Sequence, residues 1–175
     1  MSYFKDYFKR ISKNLGEVDI RLLGEAADIL AGVKRADKKV IIAGNGASAA
    51  IASHISVDMT KNAGVRTVNF NDADLITCFS NDYGYEMWVA KALEFYAEEG
   101  DAVILISSSG RSANMINAAK KARQLNLPVL TLTGFKHDNP LSSMGAVNIW
   151  IDSEEYNIVE AVHGILLSAI GDKIS

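Results

Sequence analysis

Short apolar segments alternate with longer amphipathic segments along most of this chain, and this alternation limits the possible folds more than any other feature. The five short segments lie at 40–43, 66–70, 102–106, 128–132 and 147–151. Most of them are continuous runs of Val, Ile and Leu without the polar alternation of a half-exposed strand, which indicates strands covered on both faces. This βαβ rhythm predicts an α/β fold in which a five-stranded parallel sheet is the central layer of a three-layer αβα sandwich.

The segments between the strands carry their apolar residues at helical spacing. Helices are predicted at 47–61, 73–80, 86–97 and 112–124, and from about residue 154 to the end. In open parallel sheets, ligands bind at the carboxyl ends of the strands, near a topological switch point. The loops that follow the strands are therefore the places where we expect a binding site.

Two further helices are predicted ahead of the first strand, with a break at Gly16 between them. The first has an aromatic face that includes Phe4 and Phe8, which is more apolar surface than a detached terminal helix should expose. We therefore expect residues 1–36 to be a helical extension used in oligomerisation, giving a homodimer or a homotetramer. Because the chain has 175 residues and no linker-like stretch, residues 1–175 are predicted to form one domain.

Composition excludes several classes of partner and location. A formal net charge of -3 gives no attraction to nucleic acid or to a membrane surface, so we expect neither as a partner. No segment approaches the roughly 20 apolar residues of a membrane-spanning helix. The single cysteine, Cys78, cannot form an internal disulfide and is expected to be a buried packing residue, which indicates a reducing, cytoplasmic location.

The loop after the first strand has the sequence Gly44-Asn45-Gly46-Ala47-Ser48 and opens a helix. Its glycines permit a sharp turn, and the free N–H groups of the helix start can bind an anion. The third glycine of a dinucleotide fingerprint is missing, and no acidic residue ends the next strand. The lysine-containing phosphate loop of nucleoside triphosphatases is missing as well, so we expect no nucleotide cofactor.

A serine cluster follows the third core strand in the same way, with the sequence Ser107-Ser108-Ser109-Gly110-Arg111-Ser112. A helix N-cap needs only one of these hydroxyl groups. Hydrogen bonds to a charged group contribute about 1.5 to 3 kcal/mol each, so three or four of them can hold a phosphate without a lysine. Taken alone, either loop can be an ordinary turn of small residues. Two such loops in one parallel sheet favour a phosphorylated sugar as the ligand.

Three segments resemble the SIS (sugar isomerase) domain family, and within it the phosphoheptose isomerases: GNGAS at 44–48, NDYGYE at 81–86 and SSSGRSAN at 107–114. The resemblance covers nearly the whole chain. It implies a flavodoxin-like SIS fold and homotetramers with active sites near subunit boundaries. It also implies an aldose–ketose isomerase of lipopolysaccharide heptose biosynthesis, which converts sedoheptulose 7-phosphate to D-glycero-D-manno-heptose 7-phosphate.

The resemblance also implies roles for individual residues. The phosphate would be bound by Ser107, Ser108, Ser109 and Ser112. The sugar chain would be contacted by Asn45, Gly46, Ser48 and Asp82. Without the resemblance, Asp82 is interpreted as a plain turn residue in an Asn-Asp-Tyr-Gly sequence.

Interconversion of an aldose and a ketose needs a base that moves a proton between C1 and C2, and an acid or a metal that stabilises the enediolate oxygen. His54 and Asp58 share one helix face at i and i+4. Glu160 and His163 share a face of the last helix at i and i+3. We nominate Glu160, His54 and Asp58 as catalytic residues. The same three are candidate zinc ligands that leave one position open, or Glu160 is itself the base and no metal binds.

This chain departs from the phosphoheptose isomerase pattern at several polar positions. The family has a glutamate where this chain has Asp58, a glutamine where it has Glu160 and a histidine where it has Ser168. In the family, these three residues and the histidine that matches His54 together bind zinc and move the proton. The family also has an arginine and an aspartate at two further positions of this chain, Asn62 and Asn157. The usual catalytic histidine is therefore missing here.

Two rival hypotheses stand beside the isomerase. One is a non-catalytic SIS module that senses a sugar phosphate or docks another protein, which the altered ligand positions favour. The other is a related phosphosugar enzyme whose substrate is not a heptose. The serine cluster suits all three.

Overall fold

The computed structural model describes residues 2–175, which form seven α-helices and five β-strands. The helices are α1 Ser2–Glu17, α2 Ile20–Arg35, α3 Ala47–Lys61, α4 Ala73–Tyr83, α5 Trp88–Tyr96, α6 Ala113–Gln124 and α7 Tyr156–Ile174. The strands are β1 Lys39–Gly44, β2 Arg66–Val68, β3 Ala102–Ser107, β4 Val129–Thr133 and β5 Val147–Trp150. A short 3-10 helix, Pro140–Ser143, lies between β4 and β5.

All five strands are parallel and are arranged in the order β2-β1-β3-β4-β5. The chain passes from β1 outward to β2 and then crosses back to β3 on the other side of β1. The topological switch point therefore lies between β1 and β3, whose last residues are neighbours: Gly44 pairs with Ile106. The predicted α/β fold with five parallel strands is confirmed.

Both faces of the sheet are covered by helices. Along β1, Val40 and Ile42 belong to one buried cluster, whereas Ile41 and Ala43 belong to the other. The first cluster is completed by α2, α3 and α7, and the second by α5 and α6. Because neither face meets water, the strands are apolar at nearly every position, which is the pattern that predicted a three-layer sandwich.

Two helix boundaries differ from the prediction by more than two residues. The break between the first two helices falls beyond Gly16, at Asp19, because the Asp19 carboxylate accepts a hydrogen bond from the N–H of Arg21 at 2.9 Å and caps α2. Helix α4 is longer than predicted. Residues 81–83 of the segment interpreted as a turn form its last turn, and Gly84, with a φ of +85°, follows as the C-cap.

The surface of α4 corrects the prediction for the cysteine. Cys78 is exposed rather than buried. No residue of α4 is fully buried, because this helix packs mainly on α5 at the edge of the fold.

None of the helices in residues 2–175 is both long enough and apolar enough to cross a bilayer.

Candidate functional site

A pocket of about 120 Å³ opens at the carboxyl ends of β1 and β3, where the topological switch point lies. Side chains from both predicted loops and from the start of α7 line it. They are Asn45, Ser48, Ile106, Ser107, Ser108, Ser109, Ser112, Tyr156 and Glu160. We call this the serine pocket. The fold thus brings all four predicted phosphate-binding serines together with two of the predicted sugar contacts.

Ser108 has a buried hydroxyl group that lacks a hydrogen-bond partner within the described part of the chain. A buried hydroxyl without a partner costs about 1 to 3 kcal/mol, and a phosphate oxygen in the pocket would remove that cost. Ser107 donates to Oγ of Ser112 at 3.1 Å, and Ser112 makes no capping bond to α6. The Ser112 hydroxyl hydrogen is therefore free to donate to a ligand.

The serine loop is held in shape by the segments that follow β4. The N–H of Gly134 donates to the carbonyl of Ser108 at 2.8 Å, and the N–H of Leu141 donates to the carbonyl of Gly110 at 3.1 Å. Gly110 has a φ of +62°, and a Cβ at this position would lie 1.8 Å from Oδ1 of the buried Asn139. Only glycine fits there. The loop is therefore preorganised before a ligand binds.

The GNGAS loop uses its glycines to start α3 close to the end of β1. A Cβ on Gly44 would lie 2.7 Å from the backbone carbon of Ser48, and Gly46 has a φ of +56°. Gly46 is exposed and does not line the serine pocket. Ser48 is buried and lines the pocket. The structure thus gives Gly46 a conformational role, whereas Ser48 lines the pocket.

Among the carboxylates of residues 2–175, Glu160 alone lines the serine pocket. Burial raises the pKa of Glu160. The neighbouring Ser108 hydroxyl lowers this pKa in part, although the hydroxyl does not lie in normal hydrogen-bond geometry to the carboxylate. A carboxyl group with a raised pKa is better matched to proton transfer near neutral pH than an ordinary one. The pocket therefore combines hydroxyl groups that can donate to an anion with a carboxyl group that can exchange a proton.

His54 and Asp58 lie outside the serine pocket. Nε2 of His54 is 3.2 Å from Oδ2 of Asp58 on α3, and the His54 side chain is 69% exposed. His54 lines a separate groove of about 680 Å³ between α3 and α7, to which Ser168 also contributes. The structure therefore separates this pair from Glu160.

The three predicted zinc ligands do not form a metal site within one chain. No three His, Cys, Asp or Glu side chains of residues 2–175 are grouped so that they could hold one metal ion. Zinc needs its ligand atoms within about 2.0 to 2.3 Å of one point. His54 lines the α3–α7 groove, Asp58 lines a smaller pocket beside Asn62, and Glu160 lines the serine pocket, so the three donors do not fit zinc.

His163, the fourth member of the predicted cluster, has a structural position. It is fully buried, its Nε2 donates to the carbonyl of Thr133 at 3.1 Å, and its Nδ1 has no partner within the described residues. Burial lowers the pKa of His163 from the usual 6.5 to about 4. The ring is therefore neutral at pH 7 and does not line the serine pocket.

We expect His163 to make the fold sensitive to acid. Between pH 6.5 and pH 4 the unfolded chain binds a proton that the folded chain does not, so stability falls as the pH falls. The loss between pH 7 and pH 5 should be about 2 kcal/mol. His163→Leu should remove most of this loss. The carbonyl of Thr133 would stay bonded in that variant, since it also accepts from the N–H of Ile151 at 2.9 Å.

Urea unfolding of the wild type and of His163→Leu at pH 7 and pH 5 measures this effect. His137→Gln is the matched control, because His137 is exposed and its replacement should keep the wild-type pH dependence. An equal loss of stability in His163→Leu and the wild type would contradict the assignment.

Asp82, the remaining predicted sugar contact, is not brought to the serine pocket. It is exposed near the end of α4, where its carboxylate accepts from Nδ2 of Asn81 at 2.9 Å and lies 3.8 Å from Sγ of Cys78. The reason is that the Asn-Asp-Tyr-Gly segment continues α4 instead of turning toward the strand ends.

Sequence reasoning missed three residues at the site. Tyr156 lines the pocket at the start of α7, with its ring packed edge-on against Phe135 at a centroid distance of 4.7 Å. Asn114 and Tyr85 bond to the side chain of Asn45. The last two lie inside motifs that the sequence analysis had singled out, whereas nothing in the sequence indicated Tyr156.

A family model described as "SIS domain" matches residues 3–134, which is well over half of the chain. The chain belongs to the SIS domain family. This SIS domain is 32% identical over 176 residues to a phosphoheptose isomerase of Fusobacterium nucleatum subsp. nucleatum, covering 97% of the chain and 90% of that protein. It is 31% identical over 159 residues to the phosphoheptose isomerase of Edwardsiella ictaluri, covering 88% and 81%.

The solved structures agree with the sequence comparison. The phosphoheptose isomerase of Neisseria gonorrhoeae matches this SIS domain with a TM-score of 0.91 and 26% identity, covering 99% of this chain and 96% of that one. The predicted resemblance to the SIS family and its phosphoheptose isomerases is confirmed. Both leading helices and the final helix are part of the match, since nearly the whole of each chain is covered.

Proposed function

We propose that this SIS domain is an aldose–ketose isomerase that converts sedoheptulose 7-phosphate to D-glycero-D-manno-heptose 7-phosphate. One observation carries the proposal: the unpartnered, buried hydroxyl of Ser108 and the carboxyl group of Glu160 lie in the same pocket at the topological switch point. The relatives named phosphoheptose isomerase support a seven-carbon substrate.

The serine pocket would bind the phosphate. The hydroxyl groups of Ser108, Ser109 and Ser112 would donate to phosphate oxygens, with Ser107 fixing the orientation of Ser112. Free N–H groups at the start of α6 would add to this binding, since a helix N-terminus favours negative charge. Asn45 and Ser48 would face the sugar chain, because they line the side of the pocket formed by the other loop.

Glu160 would act as the base. In its ionised form it removes a proton from C1 of the ketose, which gives an enediol, and in its protonated form it returns that proton to C2. A second proton moves from the C1 hydroxyl to the C2 oxygen, so atoms and charges balance and no other reactant is consumed. Because burial raises the pKa of Glu160, its protonated form, which returns the proton, is more populated than that of an ordinary glutamate.

His54 and Asp58 would assist at the oxygens of the sugar. Helices α3 and α7 line both places: Ser48 and Glu160 face the serine pocket, whereas Ala50 and Ala161 line the groove that contains His54. A sugar chain that extends from the pocket into the groove would place its reacting carbons between Glu160 and His54. The imidazole, oriented by Asp58, would then serve as the acid.

Proton exchange tests the proposed function. The protein is incubated with sedoheptulose 7-phosphate in heavy water, with and without added zinc, and deuterium at C1 and C2 is measured by NMR. We expect deuterium at these carbons at a rate that zinc does not change, because the donors in one chain do not fit the metal. Binding of the sugar phosphate without any exchange would overturn the isomerase proposal.

A specific observation favours a second candidate, a non-catalytic module that senses sugar phosphates. Ser168 stands where the family's catalytic histidine is expected, and the family's metal-ligand positions are not assembled within the chain. Such a module would still use the serine pocket. It is distinguished by tight binding of sedoheptulose 7-phosphate together with the absence of exchange.

We also propose that α1 joins subunits of a homodimer or homotetramer. Its Tyr3, Phe4 and Phe8 side chains are 64%, 65% and 61% exposed, and nothing in the described part of the chain covers this aromatic face. A second copy of the same chain would bury it. A cytoplasmic location suits the exposed thiol of Cys78, which a reducing compartment would preserve.

Phe8→Glu should weaken this association, because it places a charge on the aromatic face that a second subunit would bury. Light scattering coupled to size-exclusion chromatography should show a smaller particle than the wild type. Lys9→Glu changes the charge of an exposed neighbour and should keep the wild-type mass. A wild type that is monomeric at micromolar concentrations would contradict the proposed role of α1.

A further inference from the structure

Asn45 and Asn114 form a reciprocal amide pair at the edge of the serine pocket. Nδ2 of Asn45 donates to Oδ1 of Asn114 at 2.9 Å, and Nδ2 of Asn114 donates to Oδ1 of Asn45 at 2.8 Å. Asn114 is 2% exposed, whereas Asn45 lines the pocket. Two amides that are bonded in both directions have one relative orientation, so the buried residue fixes the accessible one.

Tyr85 gives the Asn45 amide a third hydrogen bond. Its hydroxyl group donates to Oδ1 of Asn45 at 3.1 Å. An asparagine side chain has two acceptor lone pairs and two N–H donors. Asn114 and Tyr85 together occupy both lone pairs and one N–H of Asn45. One N–H of the amide is left for a ligand.

The three residues come from separate segments that meet only in the folded chain. Asn45 follows β1, Asn114 lies in the first turn of α6, and Tyr85 lies between α4 and α5. The Tyr85 segment is anchored to the same helix, since Nδ2 of Asn117 donates to the carbonyl of Glu86 at 3.0 Å. The arrangement therefore holds one amide from two sides.

We propose that Asn114 is a positioning residue for substrate recognition. It holds the amide of Asn45 so that the remaining N–H donates to an oxygen of the sugar chain, and Tyr85 secures the same amide from the other side. This inference rests on the proposed function, because it takes the serine pocket as the phosphate site. The amide contributes only when a sugar oxygen is present, so it selects a sugar phosphate over phosphate alone.

NMR titrations with sedoheptulose 7-phosphate and with inorganic phosphate test the proposal. Asn114→Ala should weaken binding of the sugar phosphate about tenfold, because the freed Asn45 amide no longer offers one fixed donor. Binding of inorganic phosphate should change less than about twofold, since the serines are untouched. Gln124→Ala, which removes an exposed amide at the other end of the same helix, is the matched control and should leave both affinities unchanged.

Tyr85→Phe provides a second test that does not depend on a buried substitution. Tyr85 is 54% exposed, so loss of its hydroxyl group should not affect folding. We expect sugar-phosphate binding to weaken about threefold and phosphate binding to stay the same. The positioning role would be overturned if Asn114→Ala and Tyr85→Phe weakened binding of the sugar phosphate and of inorganic phosphate equally. It would also be overturned if they weakened binding of neither ligand. A wild type that binds neither ligand would overturn the proposed function instead, and the positioning role with it.

Discussion

Glu160→Gln should lower the rate of proton exchange into sedoheptulose 7-phosphate by about 10² to 10⁴-fold, the range expected for loss of a general base. The amide keeps the size of the carboxyl group but cannot take a proton from carbon. Binding of the sugar phosphate should stay equal or become tighter, because a negative charge near the phosphate is removed. Exchange followed by NMR measures the first effect, and a ligand titration measures the second.

Glu154→Gln is the matched control for this variant. Glu154 is exposed and pairs with Lys136 at 3.7 Å, so its loss should leave exchange unchanged. The pH dependence gives an independent check. Because burial raises the pKa of Glu160, exchange should decline with falling pH at a midpoint above that of an ordinary glutamate. Normal exchange in Glu160→Gln would show that another group is the base, and His54→Gln would then be the next variant to measure.

Ser109→Asp should abolish recognition of the phosphate, with a loss of affinity of at least about a hundredfold. Ser109 lines the serine pocket, and its Oγ accepts only the N–H of Arg111, at 3.3 Å, a bond that a carboxylate can also accept. The loop should therefore keep its shape while a fixed negative charge repels the phosphate. A titration with sedoheptulose 7-phosphate measures the loss.

The control for this variant adds the same charge outside the pocket. Ser143→Asp places it on an exposed residue of the 3-10 helix after β4, and we expect affinity within about twofold of the wild type. Equal affinity in Ser109→Asp and the wild type would mean that the phosphate binds somewhere else.

The sheet and the serine pocket could be predicted from the sequence for the same physical reason. A strand that is covered on both faces must be apolar at nearly every position, so β1 and β3 are visible as continuous apolar runs. The polar residues that follow such strands emerge at one edge of a parallel sheet. Asn45 and Ser108 are therefore close in space although they are far apart in the chain.

The arrangement of the candidate catalytic residues could not be predicted to the same extent. Helical spacing tells which residues share a face of one helix, as His54 and Asp58 do, but not where two helices come into contact. The packing of α3 against α7 places Glu160 in the serine pocket and His54 in the neighbouring groove. The spacing that paired Glu160 with His163 gave no sign that the histidine ring would be buried at the end of β4.

Tertiary contacts also account for the remaining differences between the sequence-based predictions and the structure. Gly110 is required because of Asn139, a residue that no local pattern connects to the serine loop. Asp82 was expected near the sugar because of the family resemblance, whereas its segment continues α4 and leaves the carboxylate exposed. The partner of Asn45 lies 69 residues away at Asn114, and only the packing of two loops brings the amides together.

A crystal structure with sedoheptulose 7-phosphate bound is the most direct test that the serine pocket is the phosphate site. We expect a phosphate oxygen within about 3 Å of the Ser108 Oγ, which has no partner in the described residues, and the sugar chain directed past Asn45 toward Glu160. Density for the phosphate in the α3–α7 groove beside His54, with the serine pocket empty, would contradict the account.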